Sequence, residues 1–108
     1  MVRDELLRLR ASSVAEAATL AENLEALFVA SRDSNADDEH DPEGATIGFE
    51  RAQLTSLLGA ARERIAEVDD ALGRVDAGTY GICERCGQPI AAERLEARPF
   101  ARWCIACA

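Results

Sequence analysis

Lysine is missing from all 108 residues, so every basic side chain is one of 12 arginines, set against 20 acids for a formal net charge of -8. A chain this acidic is repelled by a phosphate backbone unless its charges are segregated, which removes nucleic acid as the default partner. Aromatic residues are scarce, one Trp, one Tyr and three Phe, while Ala and Leu abound; that balance favours helix pairs over sheets and a thin core. Long apolar runs are lacking too. The opening MVRDELLRLR carries charges every few positions, unlike a secretory signal, and no later stretch approaches a membrane span. These absences predict a cytoplasmic chain of one domain, or a small module on an extended arm.

Cysteine is absent up to residue 82 and then occurs four times, at Cys83, Cys86, Cys104 and Cys107, in the spacing C-x2-C-x17-C-x2-C. In a reducing compartment such pairs serve as thiolate ligands, and two knuckles at this separation can close a tetrahedral zinc site. A redox pair would instead call for a single C-x-x-C within a strand and helix pattern. Four protein thiolates fill the coordination sphere, so the expected Zn2+ is one structural ion with no open position for catalysis. Gly81 and Gly87 flank the first knuckle, where glycine lets the backbone turn its amides toward the sulfurs; the second knuckle, CIAC, has none.

Upstream, apolar and small residues recur every three or four positions: Leu6, Leu9, Ser13, Ala17, Leu20, Leu24 and Leu27, then Leu54, Leu58, Ala61, Ile65, Val68, Leu72 and Val75. Both stripes have coiled-coil seam spacing. Each implies about 27 helical residues, hence about 40 Å. The predicted fold class is mainly α: a long antiparallel coiled-coil helical hairpin over residues 1–77, an acidic tip at about 31–46, and a small four-cysteine zinc-finger module at 78–108. Asp41 and Pro42 offer an N-cap and a first helical position, and Gly78 stands where the second helix should stop. Gly44, Gly48, Gly59 and Gly73 weaken that helix locally.

Between the stripes lies DSNADDEHDPEG, with six carboxylates in residues 33–43. Asp33, Asn35 and Asp37 match the first three ligand positions of a calcium-binding loop, but the sixth would be Asp38 rather than glycine and the twelfth Gly44 rather than glutamate. An exposed bend gives no burial to split carboxylate pKa values, so acid-base catalysis is not expected. His40 reads as a solvent-facing bystander. The charge is unevenly spread: residues 1–76 carry 8 arginines and 17 acids, net -9, and residues 77–108 carry 4 and 3, net +1.

GTYGICERCGQPIAAERLEARPFARWCIAC resembles the four-cysteine zinc finger of the DksA/TraR family. It reproduces Y-G-x-C-x-x-C-G-x-x-I, R-L-x-A-R-P-x-A and the final C-x-x-C, and the hairpin is similar to the coiled coil of longer DksA-like members. The resemblance implies a bacterial transcription regulator that binds RNA polymerase, not DNA, and is not an enzyme. It implies a coiled coil entering the secondary channel, with its acidic tip approaching the active-centre magnesium region to modulate initiation. Aligned on Phe49, Asp38 and Asp41 take the two aspartates of the family's D-x-x-D-x-A tip, and Glu43 stands where alanine is usual.

Arg98 matches the arginine of the family's A-R-P element, a candidate phosphate contact in members that respond to guanosine tetraphosphate. The lysine that accompanies it there has no counterpart, so the nucleotide stays an open question at this level. Arg98 could equally neutralise the thiolates or pack by its stem. Two other functions compete. Arg85, Arg94, Arg98 and Arg102 with Tyr80, Phe100 and Trp103 could make the finger a nucleic-acid-binding ribbon, and the seam could make the chain a coiled-coil adaptor.

Overall fold

The structure, a computed structural model, describes residues 1–33 and 42–108. Three helices follow in order, α1 (Val2–Asp33), α2 (Pro42–Ala77) and α3 (Ala92–Ala97), and the described residues contain no strand beyond one isolated antiparallel bridge, Ile82 with Pro89. At 32 and 36 residues, α1 and α2 outrun the 27 or so expected from the seams. The apolar stripe marks only the part of a helix that is covered, whereas good helix formers carry the backbone further at both ends. Neither Gly48, Gly59 nor Gly73 interrupts α2.

Helix α2 begins at Pro42, where a missing N–H costs nothing, and ends in a Schellman turn. Gly78 has φ 78°, its N–H donates to the carbonyl of Val75 at 3.2 Å, and Thr79 N–H reaches back to the carbonyl of Arg74 at 2.9 Å. A side chain at Gly78 would meet no neighbour, so the glycine is there for its left-handed backbone.

The chain divides into two compact units, Met1–Ser12 with Arg64–Ala108, and Ser13–Glu63. In the first unit, α1 and α2 run antiparallel: Arg3 pairs with Asp76, and Arg10 Nε meets Asp69 Oδ1 at 2.6 Å, so seven residues up one helix meet seven back along the other. Leu6, Val68 and Ala71 are buried between them, and Leu9, Leu72, Val75, Tyr80 and Phe100 pack around this cluster. Tyr80 and Phe100 come from the cysteine-bearing segment, so that segment shares its apolar core with the ends of both helices. Burying each large side chain contributes about 1.5–3 kcal/mol.

In the second unit, Leu58 and Ala61 are buried, Ala17, Leu20, Leu24, Leu27 and Leu54 are half-buried, and Arg51 lies over the Phe28 ring at 5.4 Å. Every position of the two stripes read from the sequence is buried or half-buried. Ser13 is the polar exception within the seam: it is 1% exposed, and its Oγ has no hydrogen-bond partner among the described residues.

Candidate metal centre

The cysteine-bearing segment folds around two short turns. In the first, Cys83 N–H donates to Gln88 O at 2.8 Å, Gly87 N–H to Cys83 O at 3.0 Å and Ile90 N–H to Gly81 O at 2.7 Å. Gly81 and Gly87 take φ of 83° and 73°, the left-handed turns that the sequence reserved for glycine. In the second, Cys107 and Ala108 N–H groups both donate to Cys104 O at 3.0 Å, a turn that needs no glycine. Glu84 N–H to Arg102 O, at 2.9 Å, ties the two turns together, and α3 spans the sequence between them.

These turns bring Cys83, Cys86, Cys104 and Cys107 together, with all four sulfurs within 4.8 Å of one another. Zinc with thiolate bonds of about 2.3 Å requires tetrahedral S···S edges of about 3.8 Å. Cys86 Sγ and Cys104 Sγ stand 3.7 Å apart, so the donor set and its spacing both fit one Zn2+. Held by Cys83, Cys86, Cys104 and Cys107, a zinc ion would neutralise the thiolates and cross-link the two knuckles.

Electrostatics around the sulfurs follow from the turns. Burial works against the Cys83 thiolate, but backbone N–H groups of Cys104, Cys86 and Arg85 directed at its sulfur prevail and bring the thiol down to about 6. At Cys86 the Gln88 amide favours the thiolate, yet hydrogen bonding with Cys83, burial and Cys104 together push the pKa up. Hydrogen bonding with Cys104, then with Cys83, pushes Cys107 up to about 12. Without a cation, Cys83 takes negative charge most readily, while Cys86 and Cys107 hold their protons.

Arginines hold the rim. Arg85 donates from Nη1 to Cys107 O at 2.7 Å while its guanidinium lies 4.3 Å over the Trp103 ring, and Arg94 Nε donates to Trp103 O at 2.8 Å. Arg102 Nη2 meets Asp70 Oδ2 of α2 at 2.8 Å, and Arg74 of α2 donates to Phe100 O at 3.2 Å and faces Glu84 Oε1 at 3.6 Å. The roles of Asp70, Arg74 and Glu84 went unread in the sequence. Their only signal there was an acid between two cysteines and opposite charges near the end of a helix.

Arg98 is exposed, stacks 5.3 Å from the Phe100 ring and makes no ion pair among the described residues. It therefore packs on an aromatic face, and no hydrogen bond ties it to the sulfurs. Asp38, Asp41 and His40 of the acidic stretch lie outside the described residues. No described helix is long and apolar enough to cross a membrane.

Residues 78–108 match the family described as the prokaryotic dksA/traR C4-type zinc finger. The chain is 55% identical over 57 residues to the RNA polymerase-binding transcription factor DksA of Caulobacter vibrioides, covering 53% of this chain and 40% of that protein. It is 40% identical over 72 residues to general stress protein 16O of Bacillus subtilis, covering 67% and 44%. The matched stretches thus span less than half the length of these curated relatives. Among solved structures, transcription factor DksA2 from Pseudomonas aeruginosa superposes with a TM-score of 0.79 at 29% identity, over 98% of this chain and 76% of that one. Residues 78–108 thus carry the DksA/TraR four-cysteine zinc finger, and nearly the whole chain is similar in structure to a DksA protein.

Proposed function

We propose that this chain is a cytoplasmic, non-enzymatic regulator of transcription that binds RNA polymerase directly. In this reading its coiled coil enters the secondary channel and the acidic bend, with Asp38 and Asp41 foremost, approaches the active-centre magnesium region and changes initiation. The observation that carries the reading is the likeness to DksA2 over 98% of the chain, finger and helices together. Physically, carboxylates are hard oxygen donors that attract Mg2+ and the basic lining of a nucleotide-entry channel, which gives six acids in residues 33–43 a use. The domain reading is a hairpin at 1–77 and a finger at 78–108, with Cys83, Cys86, Cys104 and Cys107 as the four zinc ligands.

Direct DNA binding is not part of the proposal. Arg85, Arg94 and Arg102 are already engaged with carbonyls, Asp70 or Trp103, and the hairpin residues 1–76 carry net -9. Guanosine tetraphosphate is left out as well, since no lysine accompanies Arg98. The test is a pull-down on purified core polymerase, paired with transcription in vitro. The wild-type chain binds and alters initiation, and Asp38→Asn with Asp41→Asn binds equally but loses most of that effect. A wild-type chain that fails to bind removes the polymerase; an unchanged effect in the double variant removes the tip.

A further inference from the structure

The two cysteine knuckles are not equally self-supporting. The first closes on two left-handed glycines, Gly81 and Gly87, with Cys83 N–H bonded to Gln88 O and Gly87 N–H to Cys83 O. The second, CIAC, has no glycine, and Ile105 between its cysteines is 80% exposed, so burial of that side chain adds little to hold it. Three bonds from outside tie this segment down: Glu84 N–H to Arg102 O at 2.9 Å, Arg94 Nε to Trp103 O at 2.8 Å and Arg85 Nη1 to Cys107 O at 2.7 Å. The first two stop short of Cys104. Of the three, only the Arg85 bond lands on a cysteine of the site.

Arg85 touches both knuckles at once. It stands between Cys83 and Cys86 in the chain, and its backbone N–H is directed at the Cys83 sulfur while its side chain crosses to the carbonyl of Cys107. The guanidinium lies 4.3 Å over the Trp103 ring, which also carries Arg102 at 5.7 Å. Stacking orients the planar guanidinium, so less side-chain freedom is lost when its N–H meets the carbonyl. Arg85 is exposed and is no part of the Leu6, Val68 and Ala71 cluster, so replacing it leaves the helix packing alone. Groups that fix the orientation of metal ligands raise metal affinity, and this one keeps Cys107 beside the other three sulfurs. Its charge acts in the same direction, because four thiolates and one Zn2+ leave a net charge of about -2.

We infer that Arg85 is a positioning residue of the zinc site, a latch that holds the Cys107 carbonyl against the first knuckle and slows the loss of zinc. This rests on the four cysteines being the zinc ligands and is independent of any contact with polymerase.

The rate at which the zinc-loaded full chain gives up zinc to excess chelator tests it, using wild type, Arg85→Gln and Arg85→Lys. Helicity is measured on each, and the visible spectrum of each Co2+-substituted form shows whether four thiolates still surround the metal. Arg85→Gln is expected to keep helicity and spectrum and to release zinc about tenfold faster or more, the scale of a lost support behind a metal ligand. Arg85→Lys keeps a cation and a donor without the planar fork, and its rate should fall between the two. Release at the wild-type rate from Arg85→Gln overturns the latch. Equally fast release from both variants, with the four-thiolate spectrum lost in both, means that Arg85 serves the fold at large and also overturns it. Where Arg85→Gln does not fold, Arg85→Lys decides: faster release with the spectrum kept supports the latch, and the wild-type rate overturns it. A wild-type chain whose Co2+ form lacks the four-thiolate spectrum overturns the ligand assignment itself, and the latch with it.

Discussion

The Tyr80 hydroxyl donates to the carbonyl of Pro99 at 2.8 Å across 19 residues of sequence. Burial, together with the nearby Glu5 carboxylate, pushes the phenol above its usual range, so it stays a neutral donor at any ordinary pH. This bond joins the start of the finger to the turn before its second knuckle, while the Tyr80 and Phe100 rings rest on the Leu6, Val68 and Ala71 cluster. The finger is therefore built onto the helix ends rather than hung from them.

Tyr80→Phe keeps the ring and deletes the donor, leaving Pro99 O short of a partner. A half-buried hydrogen bond of this kind contributes about 1 kcal/mol, which lowers Tm by about 4–8 °C in a domain of this size. Thermal unfolding of the zinc-loaded variant checks it, and an unchanged Tm would mean that water replaces the bond at no cost.

Ser13 predicts the opposite sign. Its hydroxyl is desolvated in the seam without a partner, so Ser13→Ala removes a penalty at almost constant volume and should stabilise the chain by about 1 kcal/mol. Denaturant unfolding reads this directly. A destabilised variant would show that the hydroxyl is bonded in solution.

Gly59 and Gly73 lie within α2, and a methyl group added at either would meet nothing within 4 Å. Neither has the positive φ that would demand glycine. Gly59→Ala and Gly73→Ala should each stabilise by about 0.5–1 kcal/mol, through helix propensity and a less flexible unfolded chain. Equal or lower stability would point to a requirement for the bare backbone that the packing does not explain.

Proton release checks the metal centre. Cys86 and Cys107 are both held above the ordinary thiol range, so at pH 7 they carry protons that zinc must displace. Cys83, at about 6, is already mostly thiolate there. Zinc uptake at pH 7 should thus release at least two protons, and affinity should rise with pH by about 100-fold or more per unit. Calorimetry in buffers of different ionisation enthalpy counts them; uptake without proton release would contradict thiolate ligation.

Much of this was legible in the sequence for definite reasons. A seam repeats its residues because a helix repeats its faces, so Leu6 to Leu27 and Leu54 to Val75 were readable as covered positions. Zinc geometry is written into two C-x-x-C pairs, and Gly81 and Gly87 announce their turns. What was not legible depends on partners distant in sequence. Arg85, Arg102 and Trp103 looked like a free basic and aromatic face, but Arg85 and Arg102 stack on Trp103 and bond to Cys107 O and Asp70. No local pattern tells an arginine committed inside the fold from one left for a ligand, and Arg98 was separated from the others only by its place on Phe100. The lengths of α1 and α2 were understated because uncovered helix leaves no apolar trace.

On the proposed function, the acidic stretch works inside RNA polymerase. Its most direct test is a photo-reactive residue in place of His40, between Asp38 and Asp41, followed by cross-linking to core polymerase and mapping of the adducts. Adducts lining the secondary channel near the active-centre magnesium are the expected result. Adducts confined to the outer surface of the enzyme, or none at all, would contradict it.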